Sequence, residues 1–184
     1  CAEAAYIKAS FEQMNSMTDQ VIEHADSLLD KVRVYEIRIQ SHIARNQFEL
    51  AIQVALQVLQ MLGVNLPQNP GKTDTWQGIL RTQWLLHRRN REQILNAPAM
   101  EDPHHLAALS ILASMFGATK FSSSSLRPLV MAKEVELTLN HGLTAHSSMA
   151  FAGYGGILCG QYHAINKGYE LGIMAMELDK RQPG

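Results

Sequence analysis

No run of about 18 apolar residues, the length needed to cross a bilayer, occurs anywhere in the chain, so no membrane segment is expected. The opening CAEAAYIKASFEQM has no basic start followed by an apolar core and is not expected to act as a signal peptide. Cysteine is nearly absent. Cys1 and Cys159 stand alone, with no paired spacing for a disulfide framework or a zinc site, and a reducing cytoplasm is the expected compartment. An excess of charge of either sign is also missing. With 16 basic and 17 acidic residues the formal net charge is −1, which gives no global attraction to nucleic acid or to an anionic membrane, and no nucleic-acid partner is expected. Alternating apolar and polar residues, the mark of strands, are nearly absent as well.

What is present is helical periodicity. Of the 184 residues 46% are apolar and 18% charged. A chain of that length buries roughly 70% of its unfolded surface when it folds as one domain. Leu28, Val32, Tyr35, Ile39 and Ile43 form one stripe, with Asp26 or Ser27 as its cap. Phe48, Ile52, Ala55, Leu59 and Leu62 form the next, closed by Gly63, which takes the left-handed conformation without steric cost. A third carries Trp76, Leu80, Trp84 and His87. Asp102-Pro103 caps a helix bearing Leu106, Leu109, Leu112 and Phe116. The serine run 122–125, with Pro128, starts another that ends at Asn140-His141-Gly142. Helices over about 144–160 and 164–178 complete the pattern. With two before Asp26, about nine helices are expected. Both ends of the chain fall within helical patterns and there is no initiator Met. Residues 1–184 are therefore expected to be a single helical-repeat domain, a fragment of a longer chain.

The stretch NPGKTDTW (69–76) contains Gly71-Lys72-Thr73, the end of a phosphate-binding loop. That motif needs a glycine at position 66, which is Leu66, and a preceding strand, where AIQVALQVLQMLG is helical. Pro67, Pro70 and Gly71 make it an interhelix linker, with Thr73, Asp74 or Thr75 as the next cap.

Phe11 and Phe48 stand 37 positions apart in similar settings, and Tyr162 follows about three further units on. A period of 34 to about 40 points to stacked antiparallel helix pairs of the tetratricopeptide kind, each aromatic packing between the two helices of its pair. The middle third, about 73–142, fits the period poorly. The expected fold is all-α, a tetratricopeptide-like superhelix. The segments QFELAIQVALQVLQMLGVNLP (47–67), HHLAALSILASMF (104–116) and GQYHAINKGYELGIMAMEL (160–178) resemble the helical-repeat region of very large bacterial signalling proteins. In those proteins a serine/threonine-kinase-like domain and an AAA/STAND-type ATPase precede the helical region, and a GAF domain and a histidine kinase or cyclase follow it. The resemblance implies context: a non-catalytic scaffold or sensor segment contacting neighbouring domains or a protein partner. An alternative is a standalone regulatory module that binds a peptide or small ligand.

Site chemistry is sparse. His104 and His105 are adjacent and diverge by about 100° on a helix, and His141 and His146 flank a turn, so helix-end histidines are expected, with no metal and no cofactor. Protonated His141 would suit the end of its helix. Glu134 and Glu136, two apart, face different sides and make no acid/base pair. Cys159, in GGILCGQY, reads as a buried packing thiol. Gly153, Gly155 and Gly156 read as small residues for close helix packing. No Gly-x-Ser-x-Gly elbow occurs, and no catalytic residue is expected. The densest charge feature, Arg81, Arg88 and Arg91 around Trp84, is the candidate interaction surface. A basic stripe with an aromatic binds phosphates or bases, while the ordinary alternative is the solvated face of an amphipathic helix. Trp76 and Trp84 are expected to anchor the core.

Overall fold

The computed structural model describes residues 22–24, 27–122 and 125–181. Phe11, Cys1, Asp26 and the two expected helices before it lie outside the described residues, apart from helical residues 22–24. Helix α1 (Leu28–Ala44) begins where the Ser27 hydroxyl accepts from the Asp30 N–H at 3.1 Å. After a tight turn, α2 (Phe48–Met61) runs back along it and ends at Gly63, with φ of +80°. The expected caps of the third helix are corrected here. Helix α3 (Lys72–His87) starts at Gly71, and Asp74, three residues in, reaches back to accept from the Gly71 N–H at 2.8 Å. Lys72 and Thr73 thus belong to its first turn.

A short α4 (Arg91–Leu95) follows, capped reciprocally by Asn90 and Gln93. Helix α5 (Pro103–Phe121) starts as expected, with Asp102 accepting from the His104 and His105 N–H groups at 2.9 Å each. Next come α6 (Arg127–His141), α7 (Ser147–Tyr162) and α8 (Ile165–Arg181). The described residues form no strand, only an isolated parallel bridge, Ala99 to Leu143. Among them no helix is long and apolar enough to cross a membrane.

The fold is all-α and built on helix pairs: α1 with α2, α5 with α6, α7 with α8. Helix α5 packs on both members of the first pair, and α6 packs on α7. The sequence between α2 and α5 departs from simple stacking. Helix α3 packs on α6, and α4 reaches α8. This excursion explains why residues 73–142 do not fit the repeat period. The aromatics at the bends also behave differently from expectation. Phe48 stacks on Phe121 at the end of α5, and Tyr162 meets Trp76 of α3 edge-on, so each bridges to a helix outside its own pair.

The core is a continuous apolar cluster running through the bundle, with Ile39, Leu59, Leu109, Leu112, Met131, Phe151, Tyr154 and Leu158 among its fully enclosed side chains. Small residues bring α7 and α8 together. A Cβ on Gly155 would stand 2.8 Å from the Gly168 carbonyl oxygen, and one on Gly168 would stand 2.6 Å from that of Gly155. The close-packing expectation therefore holds at Gly155, and Gly153 lies against Met131, while Gly156 faces open space. Cys159 is half-buried rather than enclosed, because it sits on the edge of this crossing, its thiol 3.7 Å from the Ile165 carbonyl.

Candidate interaction groove

Helix α3 is placed by a narrow core face. Ile79 and Thr82 are buried, and the Thr82 hydroxyl donates to the carbonyls of Gly78 (3.0 Å) and Ala132 (3.2 Å), tying α3 to α6. Tyr154, wholly enclosed on α7, pins the neighbouring face. Its hydroxyl donates to the Ile79 carbonyl at 3.3 Å and accepts from the Gln83 amide at 3.1 Å. Burial pushes its pKa up to about 12, so it remains a neutral phenol.

With those positions committed inward, the stripe Trp76, Leu80, Trp84 points outward. The three are 53%, 60% and 55% exposed. The expectation that both tryptophans anchor the core is corrected: at helical spacing they share a face, but that face lies away from Ile79 and Thr82. The result is an apolar ridge ~12 Å long at 1.5 Å per residue. Trp76 is steadied by its edge contact with Tyr162, ring centroids 5.3 Å apart, and Trp84 by the Arg88 guanidinium 4.5 Å from its ring centre.

The four residues of the candidate surface do not form one basic stripe. Arg81 turns toward α6 and pairs with Glu136 at 2.9 Å, a carboxylate that Lys133 also holds at 2.9 Å. Arg88 covers Trp84. Arg91 belongs to α4, beyond the end of α3, and forms a two-pronged pair with Glu177 of α8, at 3.1 and 2.5 Å. Trp84 and Arg88 stay together; Arg81 and Arg91 go to different neighbours.

Between α3, α4 and α8 lies a groove of about 470 Å³. Leu86, Ile94, Leu171 and Met174 give it an apolar lining, and His87, Arg91, Lys167 and Glu170 give it charged or polar groups. Arg181 closes the α4–α8 junction by donating to the Leu95 carbonyl (3.2 Å) and the Asn96 side chain (2.9 Å). Lys167 and Glu170 escaped sequence reasoning because they lie some 80 positions from α3; no local spacing joins them.

Two further clusters also went unread. Glu134, expected only to face away from Glu136, is 3% exposed, and burial pushes its carboxyl up to about 8. The legible signal was its setting, VMAKEVELTL, apolar on nearly every side of the helix. The rings of His105 and His141 stack, centroids 3.5 Å apart. Burial, and then the neighbouring His105, hold His141 below its usual basicity, which corrects the picture of a protonated histidine at a helix end. Nδ1 of His105 lies 3.3 Å from Asp102, within ion-pair reach but off the hydrogen-bond line. No group of three or more metal-ligating side chains occurs among the described residues.

No protein-family model, curated protein or solved structure matches the chain.

Proposed function

We propose that this chain is a non-catalytic helical scaffold or sensor segment. It would mediate interdomain contact within a bacterial, cytoplasmic signal-transduction protein of the kinase and ATPase type, with its helix pairs stacked as a tetratricopeptide-like superhelix. The observation that carries the reading is the exposed ridge Trp76, Leu80, Trp84. Large apolar side chains lined up on one exposed helix face mark a surface that a partner covers, and Trp and Arg are the residues that most often dominate such contacts. The likeness of residues 47–67, 104–116 and 160–178 to the helical region of such proteins supplies the context. The occupant is a neighbouring domain of the same polypeptide. Contact that differs between two states of that domain would bias its activity.

The chain's two tryptophans both sit on the ridge, so selectively excited tryptophan emission, with that of each added domain recorded separately and subtracted, reads the ridge. Adding the flanking domains encoded beside residues 1–184 is expected to shift the emission to the blue and to protect it from iodide. Leu80→Ser should abolish both effects. Emission and quenching unmoved by every flanking domain would sink the proposal.

A second reading, a standalone regulatory module binding a peptide or small ligand, is favoured by the groove between α3 and α8. Its volume of about 470 Å³ is in the range of small-molecule sites. Saturable binding of a peptide that Lys167→Glu abolishes, with the ridge still open to iodide, would select this reading over the first.

A further inference from the structure

The pair α7 and α8 leaves one face uncovered. Helix α7 turns Phe151, Tyr154 and Leu158 into the core, and α8 turns Leu171, Met174 and Leu178. On the opposite flank α7 presents Met149, Ala152, Gly156 and Gly160, and α8 presents Ile165, Tyr169, Gly172 and Met176. The two sets share one outer side of the pair. Gly155 and Gly168, where the helices touch, each stand between the buried set and the outer set of their own helix. Met149, Ile165, Tyr169 and Met176 are 56% to 68% exposed. Helix α7 also carries no charged residue in its 16 positions. A helix face that meets water ordinarily carries charge, so this face has the character of one that another surface covers.

The relief of the face is its own complement. The α8 stripe is a ridge of Ile165, Tyr169 and Met176. The α7 stripe is a furrow, since a Cβ on Gly156 or Gly160 would meet nothing within 4 Å. Gly155 faces Gly168 and Leu171, which sets the register of the pair. Gly156 thus stands level with Tyr169, Gly160 with Ile165, Ala152 with Gly172 and Met149 with Met176. A twofold axis parallel to the helices keeps every height and exchanges α7 for α8. It lays Tyr169 of one copy over Gly156 of the other, and Ile165 over Gly160, twice. The four helices then alternate in direction around a square, as in an up-down-up-down bundle. Helices ~24 Å long with axes about 8–10 Å apart give an outline of roughly 500 Å² on each copy. The total of about 1,000 Å² reaches the lower bound for a specific interface. An unrelated neighbour would not require the small positions of α7 to stand level with the bulky ones of α8.

We propose that the outer face of α7 and α8 is a dimer interface, and that a second copy of this chain covers it across a twofold axis parallel to the two helices. Tyr169 is the anchor, the kind of large aromatic side chain that dominates such contacts. Alanine already stands at 152, so the furrow also takes a methyl at 156, while a charged side chain there meets the ring of Tyr169. With an area at the low end of specific interfaces, the association is reversible. The face lies on the side of α7 opposite Tyr154, which holds α3, so the tryptophan ridge stays free and the proposal stands independently of it.

The test is sedimentation velocity of the whole 184-residue chain over a dilution series. A monomer–dimer equilibrium is expected, with a melting temperature that rises with concentration. Tyr169→Lys and Gly156→Glu should each weaken the dimer about a hundredfold, because a twofold axis counts a tenfold loss twice. Both positions are exposed, so the circular dichroism of the dilute variants should match that of the wild type. Mixing reads the register. Tyr169→Lys chains added to Gly156→Glu chains should restore a dimer, with one Lys–Glu pair and one unaltered contact of Tyr169 on Gly156. A chain that is monomeric at every concentration would overturn the proposal. A dimer that ignores both substitutions would overturn it too, and one that yields instead to Leu80→Ser would belong to the ridge. Failure to recover on mixing would overturn the twofold register.

Discussion

Glu134 offers the sharpest test of the core. It sits mid-helix on α6, 3% exposed, with no hydrogen bond or ion pair to its carboxyl found among the described residues. Burial moves its titration from 4.5 to about 8. Between those values the folded chain holds a proton that the unfolded chain has released, so stability must fall as pH rises from about 4.5 and level off above about 8. At ~1.4 kcal/mol per tenfold change, the whole excursion corresponds to a ceiling of about 5 kcal/mol. Relaxation and water entry reduce that ceiling, and a loss of ~3 kcal/mol across the range is the working expectation.

Glu134→Gln keeps the shape and removes the titration. Urea denaturation of wild type and variant at a series of pH values from 4 to 9 isolates the effect as the difference between two curves. The subtraction is needed because His141 acts in the opposite sense. With its folded basicity lowered, it adds stability as pH rises through its own range and flattens the wild-type profile. The two proteins should be nearly equal at the acid end, with the variant clearly more stable at the alkaline end. Curves that stay parallel over the whole range would show that Glu134 is solvated, and the burial argument would fail.

Gly155→Ala should destabilise by about 1–3 kcal/mol in chemical denaturation, because the added methyl meets the Gly168 carbonyl, part of a backbone that cannot rotate away. Gly156→Ala, facing open space one residue on, should be neutral or slightly stabilising through helix propensity; equal effects at the two positions would refute the crossing geometry. Gly142→Ala is expected to cost more than Gly156→Ala, with melting temperature as readout, since Gly142 has φ of +116° and its Cβ would lie 2.6 Å from the Pro98 oxygen. A double-mutant cycle on Arg91 and Glu177 should return under ~1 kcal/mol despite the two-pronged geometry, because the side chains are 50% and 40% exposed. A larger coupling would mean that the α4–α8 junction is far less solvated than its exposure implies.

Apart from the short α4, which the sequence analysis did not anticipate, the described helices were legible because each is signalled locally. Ser27, Asp102-Pro103 and Gly63 act through their own backbone neighbours, and α1, α2 and α5 carry apolar stripes that point inward. The order in which helices pack was less legible. Nothing in residues 73–95 says that α3 will leave α2 and lie on α6, since the ties that place it, Thr82 to Ala132 and Gln83 to Tyr154, span 50 and 71 positions.

The misreading of α3 follows from the same limit. A periodic stripe tells which side chains share a face; it does not tell which face the rest of the protein covers. On α3 two stripes compete. Trp76, Leu80 and Trp84 have the greater apolar bulk, while Ile79 and Thr82 with Gly78 form the smaller one, and the smaller stripe wins the interior. The reason lies on α6, where Leu129 closes on Gly78 and the Ala132 carbonyl accepts from Thr82. The α6 surface admits small residues and excludes indoles. The bulky stripe is therefore displaced outward, and the apolar surface proposed here for a partner follows from the packing of the core.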